Sequence, residues 1–185
     1  MIILGIDPGL NATGYGVIQE EAQTLRVLAA GTIHPPASKP LGARLAHLYE
    51  ELNHVIDAHH PTWLALESLF VHHAHLMTAA LMAHARAVAC LVAVQRGLTV
   101  SEYLPTRVKK ALTGHGRASK EQVARAVGMW LGVREKSWSA DATDALALAI
   151  AHAHIAKSPI TRLEARKSVR RPALPAALLA RVVAG

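Results

Sequence analysis

The sequence has 185 residues, 51% of them apolar, and a formal charge of +7 from 20 basic and 13 acidic side chains. This size and composition fit one domain with its own hydrophobic core, and the positive charge favours polyanionic partners, with nucleic acid first among them. Neither a run of about eighteen apolar residues nor a signal-peptide pattern occurs, so we expect a cytoplasmic protein without a membrane span or a membrane partner.

Three strands are predicted at the start of the chain. An apolar run of strand length covers residues 2–7 (IILGID), and an alternating segment follows a glycine-rich turn at 13–20 (TGYGVIQE). The third strand is predicted at 24–34 (TLRVLAAGTIH). Because both connections are short, we expect these strands to form an antiparallel meander.

Helices and strands alternate after the meander. Leucines, Val55 and Ile56 at helical spacing predict a helix that ends before Pro61. In chain order the predicted elements are a helix at 41–60, a strand at 62–68, a helix at 75–95, a strand at 98–104, short helices at 105–112 and 119–132, and a helix at 139–158. This order predicts an α/β fold in which a mixed five-stranded sheet is flanked by helices on both faces.

The positive charge is concentrated at the end of the chain. Residues 158–185 contain six basic side chains and one acidic side chain, and they supply +5 of the net charge of +7. Three prolines in this segment interrupt any long helix. We therefore predict a folded domain over 1–157 and a basic tail over 158–185, which either binds a ligand or only increases solubility.

Four carboxylates are predicted to meet at one edge of the sheet. Asp7 ends the first strand and Glu67 ends the fourth, while Asp141 and Asp144 share one face of the last helix. Four such charges repel one another unless cations neutralise them, and oxygen ligands favour Mg²⁺, with Mn²⁺ as a substitute. Two such ions about 4 Å apart can hold a phosphate and activate the attacking water.

Simpler interpretations exist for each acid. Asp141 and Asp144 are suited to capping a helix whose N-cap is predicted at Ser139 or Asp141, and Asp7 and Glu67 are suited to turns or ion pairs. The combination of all four carries the metal-site prediction, because no single carboxylate does so alone.

Three segments resemble the signature segments of the RuvC family of bacterial Holliday-junction resolvases, in the same order and spacing. They are 5–18 (GIDPGLNATGYGVI), 64–70 (LALESLF) and 140–154 (ADATDALALAIAHAH). The resemblance implies a ribonuclease H-like fold and a homodimer. It also implies Mg²⁺-dependent, paired cutting of four-way junction DNA in recombination and repair, and a partnership with the RuvA–RuvB branch-migration complex.

The resemblance also implies roles for particular residues. Asp7, Glu67, Asp141 and Asp144 correspond to the catalytic, metal-binding acids of the family. Phe70 corresponds to an aromatic wedge at the junction centre, with core packing as the competing interpretation. The segment 107–123 (RVKKALTGHGRASKEQV) is similar to the DNA-contacting stretch, and it places Lys109 and Lys120 at basic positions that contact DNA or, alternatively, are only solvated.

The chain departs from the family pattern after Phe70. Three histidines, His72, His73 and His75, replace the expected asparagine region, and alanines replace the glycines of a Gly-x-Ala-Arg-Gly pattern. A zinc site would need further ligands at structural spacing, which the sequence lacks, so phosphate-contacting or solvated histidines are favoured.

Two other functions are compatible with parts of the pattern. A strand followed by Asp-x-Gly and a Thr-Gly turn also resembles the phosphate loop of the actin and sugar-kinase phosphotransferases, but those enzymes need a second lobe and a glycine-rich adenosine site. A junction-binding protein without catalysis would share the basic charge, but the presence of all four acids argues against it.

The predicted helix over 75–95 is apolar almost all round. One sheet face cannot cover every side of such a helix, so we expect a second copy of the chain to cover the rest. Met82 and Ala89 are predicted to point outward, toward the second copy. The alternative is that the short C-terminal helices cover this face within one chain.

Overall fold

A computed structural model describes residues 1–22, 24–68, 76–133 and 138–156 of the chain. The elements are β1 (Ile2–Asp7), β2 (Thr13–Glu21), β3 (Thr24–Ile33), α1 (Leu41–His59), β4 (Trp63–Glu67), α2 (Leu76–Gln95), β5 (Thr99–Tyr103), α3 (Pro105–Thr113), α4 (Lys120–Leu131) and α5 (Ala140–Ile155). The predicted elements are confirmed with small differences at their ends. None of the helices in the described residues has the length and hydrophobicity needed to cross a bilayer.

The five strands form one mixed sheet in the order β3-β2-β1-β4-β5. β1, β2 and β3 pair antiparallel as the predicted meander, whereas β4 and β5 continue the sheet in parallel with β1. This arrangement confirms the α/β fold and its mixed sheet.

Alternate residues of the central strands enter two separate cores. Ile3 of β1 packs in a cluster with α3, α4 and α5, while its neighbour Leu4 packs in a cluster with α1 and α2. Because successive side chains of a strand point to opposite faces, two cores require helices on both sides of the sheet. The strands are accordingly buried on both faces, which explains their nearly continuous apolar sequence.

Helix α5 lies directly against the backbones of β1 and β2. A Cβ atom on Gly5 would stand 2.0 Å from the carbonyl oxygen of Ala145, and one on Gly14 would stand 2.0 Å from the carbonyl oxygen of Asp141. Both distances are far shorter than any allowed contact, and the obstacle is backbone that cannot rotate away. Glycine at these two positions therefore permits the close approach of α5 to the sheet.

The predicted outward position of Ala89 is wrong. Ala89 is only 2% exposed and packs with α1 and the sheet, because the buried face of α2 is formed by Ala85, Ala89, Val92 and Ala93. Met82 is partly exposed. The helix is apolar almost all round, as predicted, but the sequence did not show which of its faces would lie against the sheet.

Several predictions lie outside the described residues. These are Phe70, the histidines His72, His73 and His75, and the tail over 158–185. The wedge, the zinc alternative and the division of the chain after residue 157 therefore stay predictions.

We expect Gly5→Ala to destabilise the fold by at least about 3 kcal/mol, because the added methyl group collides with the α5 backbone. Gly42→Ala is the matched control: Gly42 lies in the first turn of α1, nothing stands within 4 Å of its Cβ position, and alanine favours the helix. Urea unfolding of both variants tests this. A Gly5→Ala protein as stable as the Gly42→Ala protein would contradict the close packing of α5.

Candidate active site

Parallel pairing places two carboxylates side by side at one edge of the sheet. Ile6 of β1 is paired with Leu66 of β4, so the next residues, Asp7 and Glu67, end adjacent strands at the same level. Strands that run in parallel finish at the same edge, which is where α/β proteins place their ligands. The strand register therefore brings together two acids that are sixty residues apart in the chain.

Helix α5 supplies the remaining acids. Its close packing on Gly5 and Gly14 carries its N-terminal end to the same edge, and Asp144 joins Asp7 and Glu67 around a cavity of about 340 Å³. Asp141 does not line this cavity, but its charge acts on both Asp7 and Asp144.

The N-cap of α5 is Ser139, which was one of the two predicted cap residues; the other was Asp141. Its hydroxyl accepts a hydrogen bond from the backbone N–H of Ala142, and it shares a second one, 2.7 Å long, with the hydroxyl of Thr32 on β3. Asp141 is therefore not the cap residue, but its place in the first turn of α5 still suits the positive end of the helix.

Burial and mutual repulsion disfavour ionisation of these acids. The pKa of Asp7 is raised from 3.8 to about 7, first by burial and then by the charges of Glu67, Asp144 and Asp141. Burial is also the largest cause that raises the pKa of Glu67 and that of Asp144. The site therefore gathers carboxylates whose negative charge the protein offsets only in part.

Two lysines lie at the same cavity. Lys109 of α3 and Lys120, the first residue of α4, both line it. The positive charges of both lysines reduce the rise in the pKa values of Glu67 and Asp144 but do not cancel it. The ammonium nitrogen of Lys120 is 3.8 Å from a carboxylate oxygen of Asp144, and its side chain is 81% exposed. Because this pair is long and exposed, the Lys120 ammonium remains available to an anionic ligand at the cavity.

The donor set of the cavity suits a hard divalent cation. Its ligand atoms are carboxylate oxygens, which favour Mg²⁺ and Mn²⁺ over softer metals. Within the described ranges, no three acidic, histidine or cysteine side chains already stand as a preformed metal-binding group. The acids repel one another, because Glu67, Asp144 and Asp141 all raise the pKa of Asp7. A divalent cation would relieve this repulsion, so the residues present fit a cation.

Two arginines, neither of them predicted from the sequence, bond to the chain at or near the acids. One contacts the end of β4 and the other contacts the loop after β1. Arg86 of α2 donates a hydrogen bond to the backbone carbonyl of Glu67 and pairs with Glu102 of β5 at 2.6 Å. Its only signal in the sequence is a lone charge in an apolar helix.

The second arginine is Arg44 of α1. Its guanidinium donates to the carbonyl oxygen of Leu10 at 3.0 Å and to the side-chain oxygen of Asn11 at 2.8 Å. These bonds tie α1 to the loop that follows Asp7. Nothing in the local sequence distinguishes Arg44 from an ordinary surface arginine.

Comparison with known proteins identifies the family. Residues 3–152 match the family model for the crossover junction endodeoxyribonuclease RuvC. Proteins of that name from Rhodopirellula baltica and Halorhodospira halophila are 45% and 43% identical to this chain, over 85% and 86% of its length and over 89% and 93% of their own.

A solved structure of a similar protein agrees with this match. The structure of Thermus thermophilus RuvC in complex with a Holliday junction substrate has a TM-score of 0.79 and 32% identity, and covers 84% of this chain and 94% of that chain. A phosphotransferase of the actin type is not favoured by any of these matches. The chain therefore belongs to the RuvC family of crossover junction endodeoxyribonucleases.

Proposed function

We propose that this nuclease hydrolyses phosphodiesters of four-way DNA junctions at the cavity between β1, β4 and α5, with Asp7, Glu67, Asp141 and Asp144 as its catalytic acids. The observation that carries the proposal is the meeting of Asp7, Glu67 and Asp144 with two lysines around one cavity. The relatives' name and the junction substrate of the Thermus thermophilus protein support the choice of DNA substrate.

The four carboxylates would hold the metal ions, two per site and Mg²⁺ in preference to Mn²⁺. When bound, such ions neutralise the acids, polarise the phosphate and lower the pKa of bound water. Asp7 is central to this role, because its pKa responds to all three of the other acids. The reaction is an in-line hydrolysis with water as the nucleophile and no covalent enzyme intermediate.

Lys109 and Lys120 act on the phosphate. Both ammonium groups lie at the cavity that the acids line, where they attract the DNA backbone and stabilise the negative charge that grows on the phosphate in the transition state. The loose pair with Asp144 leaves the Lys120 ammonium free to turn from that carboxylate to the substrate. The same lysines limit the mutual repulsion of the acids before DNA arrives.

The remaining parts of the proposal concern the junction and its partners. Phe70, three residues after Glu67, is proposed as a wedge that stacks on an unpaired base. Branch-migration proteins of the RuvA–RuvB type are proposed to deliver the junction, and the enzyme is proposed to work in the cytoplasm.

A homodimer through α2 is proposed from the exposed side of that helix. Ala80, His84, Ala87, Leu91 and Val94 are all exposed and follow one another at alternating steps of four and three residues. Leu91 is 52% exposed and Val94 is 71% exposed. A mostly apolar seam with this repeat lets two helices pack side by side, and two-fold symmetry would present two active sites to matching strands.

We expect Asp7→Asn to reduce junction cleavage roughly a thousandfold or more, because a metal-binding charge worth several kcal/mol in the transition state is lost. Junction affinity should stay within about threefold of wild type, since the basic surface is unchanged. Asp57→Asn is the control, because Asp57 pairs with Arg96 on the helical surface and not with the cavity. Single-turnover cleavage in Mg²⁺ and gel-shift binding test this, and cleavage by Asp7→Asn at near wild-type rate would contradict the assignment.

The same variant has a second expected effect, on stability without metal. The pKa of Asp7 is raised from 3.8 to about 7 in the folded protein. The ionised carboxylate is therefore less favourable in the folded than in the unfolded state, so Asp7 lowers the free energy of unfolding as the pH rises from about 4, and most fully above pH 7. In EDTA at pH 8, Asp7→Asn should raise the melting temperature by roughly 3–6 °C, and the gain should shrink as the pH falls toward 4. An unchanged or lower melting temperature at pH 8 would show that Asp7 is neutralised by the protein alone.

We expect Leu91→Arg to weaken self-association by roughly a hundredfold or more, because it places a charge in the seam between two α2 helices. Met129→Arg is the control, because Met129 is also apolar and is 83% exposed, but lies on α4. Sedimentation should show a dimer for wild type and Met129→Arg, and a monomer that no longer makes paired cuts for Leu91→Arg. A monomeric wild type that still makes coordinated paired cuts would contradict the proposed dimer.

A further inference from the structure

A second groove adjoins the acid cavity on the side of α4. It has a volume of about 300 Å³, and its walls include Arg125 of α4, Trp138 just before α5, and Thr143 of α5. Lys120 and Asp144 line both spaces, so the groove and the acid cavity meet along this loosely paired lysine and carboxylate.

Trp138 is held firmly where it forms this wall. The ring is partly buried and packs against the core cluster beneath α5. The next residue, Ser139, is fixed by its cap bond to Ala142 and by its hydrogen bond to Thr32 of β3. The indole therefore lines the groove and also packs against the core, beside a residue that is bonded to both the sheet and the helix, which suits a stacking surface.

The chemistry of the groove matches a nucleobase. An indole wall offers a flat surface on which any base can stack, and the basic side chains of Lys120 and Arg125 favour the phosphates on either side of that base. The polar groups of Glu121 and Thr143 also line the groove and can bond to the edge of a base.

The position of the groove fits the geometry of a DNA strand. Each base is joined through its sugar to the neighbouring phosphates, and the groove adjoins the acid cavity at Lys120 and Asp144. A phosphate held at the acid cavity would therefore carry its neighbouring bases next to the groove. A base at the centre of a junction is already partly unpaired, so it leaves its stack more easily than a base within a duplex, and stacking on a tryptophan compensates for the contact that it loses.

We propose that this groove binds one unpaired nucleobase of the cut strand, next to the scissile phosphate, stacked on Trp138. The inference rests on the proposed function, since it assumes that the acid cavity holds a junction phosphate. Trp138, Arg125 and Thr143 would then take part in substrate recognition. The position of the cut would depend on which base stacks well in this groove.

The competing role for Trp138 is packing alone, and three variants separate the two roles. Trp138→Leu keeps an apolar side chain against the core but removes the stacking surface, and Trp138→Met serves the same purpose should the leucine variant fail to fold. Trp138→Phe retains an aromatic ring. Trp130→Leu is the matched control, because Trp130 is 46% exposed on α4 and lines a different groove. That groove shares no residue with the acid cavity, and it shares Arg125, but not Trp138, with the proposed base site.

The experiment measures single-turnover cleavage, at saturating Mg²⁺, of junctions that carry one abasic nucleotide at each position near the cut. On the intact junction, Trp138→Leu should cut roughly tenfold more slowly than wild type, while Trp138→Phe and Trp130→Leu should stay within about threefold. At one position the abasic change should slow wild type by a similar factor and should not slow Trp138→Leu further, because both changes remove the same stacking contact.

Each other outcome overturns the inference. If the abasic change slows wild type and Trp138→Leu by the same factor at every position, Trp138 does not contact a base. If Trp138→Phe is as slow as Trp138→Leu while both are stably folded, the aromatic surface does not matter. Cleavage of the intact junction by wild type shows in each case that the proposed function itself holds, whereas no cleavage by wild type would overturn both.

Discussion

Helix α5 meets β1 and β2 backbone to backbone, and the placement of the acids depends on this contact. Gly5 and Gly14 leave no side chain between helix and sheet, so the N-terminal end of α5 reaches the edge where β1 and β4 finish. One more methyl group at either position would push the helix outward and carry Asp144 away from Asp7 and Glu67. The geometry of the site is therefore set by the absence of side chains in the core, at a distance from the acids themselves.

This arrangement lowers stability in order to create a binding site. Burial and repulsion raise the pKa values of Asp7, Glu67 and Asp144, so the free protein holds them at a cost in folding free energy. The lysines at the cavity offset only part of that cost. A divalent cation and a phosphate would restore the balance of charge, which is the behaviour expected where function and stability compete.

The sequence was sufficient to predict the elements and the mixed sheet, because hydrophobic periodicity and strand ends are local properties. Of the four acids predicted to meet at one edge, Asp7, Glu67 and Asp144 line one cavity, and Asp141 does not. It was not sufficient for features that depend on how distant elements pack. The rotation of α2, which buries Ala89, and the bonds of Arg86 and Arg44 to strand ends and loops follow from tertiary contacts. The groove at Trp138 likewise exists only because α4 and α5 lie side by side.

The central claim is that the acids gathered by α5 hold cations against the scissile phosphate. The most direct measurement replaces each non-bridging oxygen of that phosphate with sulfur and compares single-turnover cleavage in Mg²⁺ and in Mn²⁺. Because Mg²⁺ binds sulfur poorly and the softer Mn²⁺ tolerates it, one of the two substitutions should slow cleavage in Mg²⁺ by roughly tenfold or more and Mn²⁺ should restore most of the rate. Equal slowing in both metals, or undiminished cleavage in EDTA, would contradict the claim.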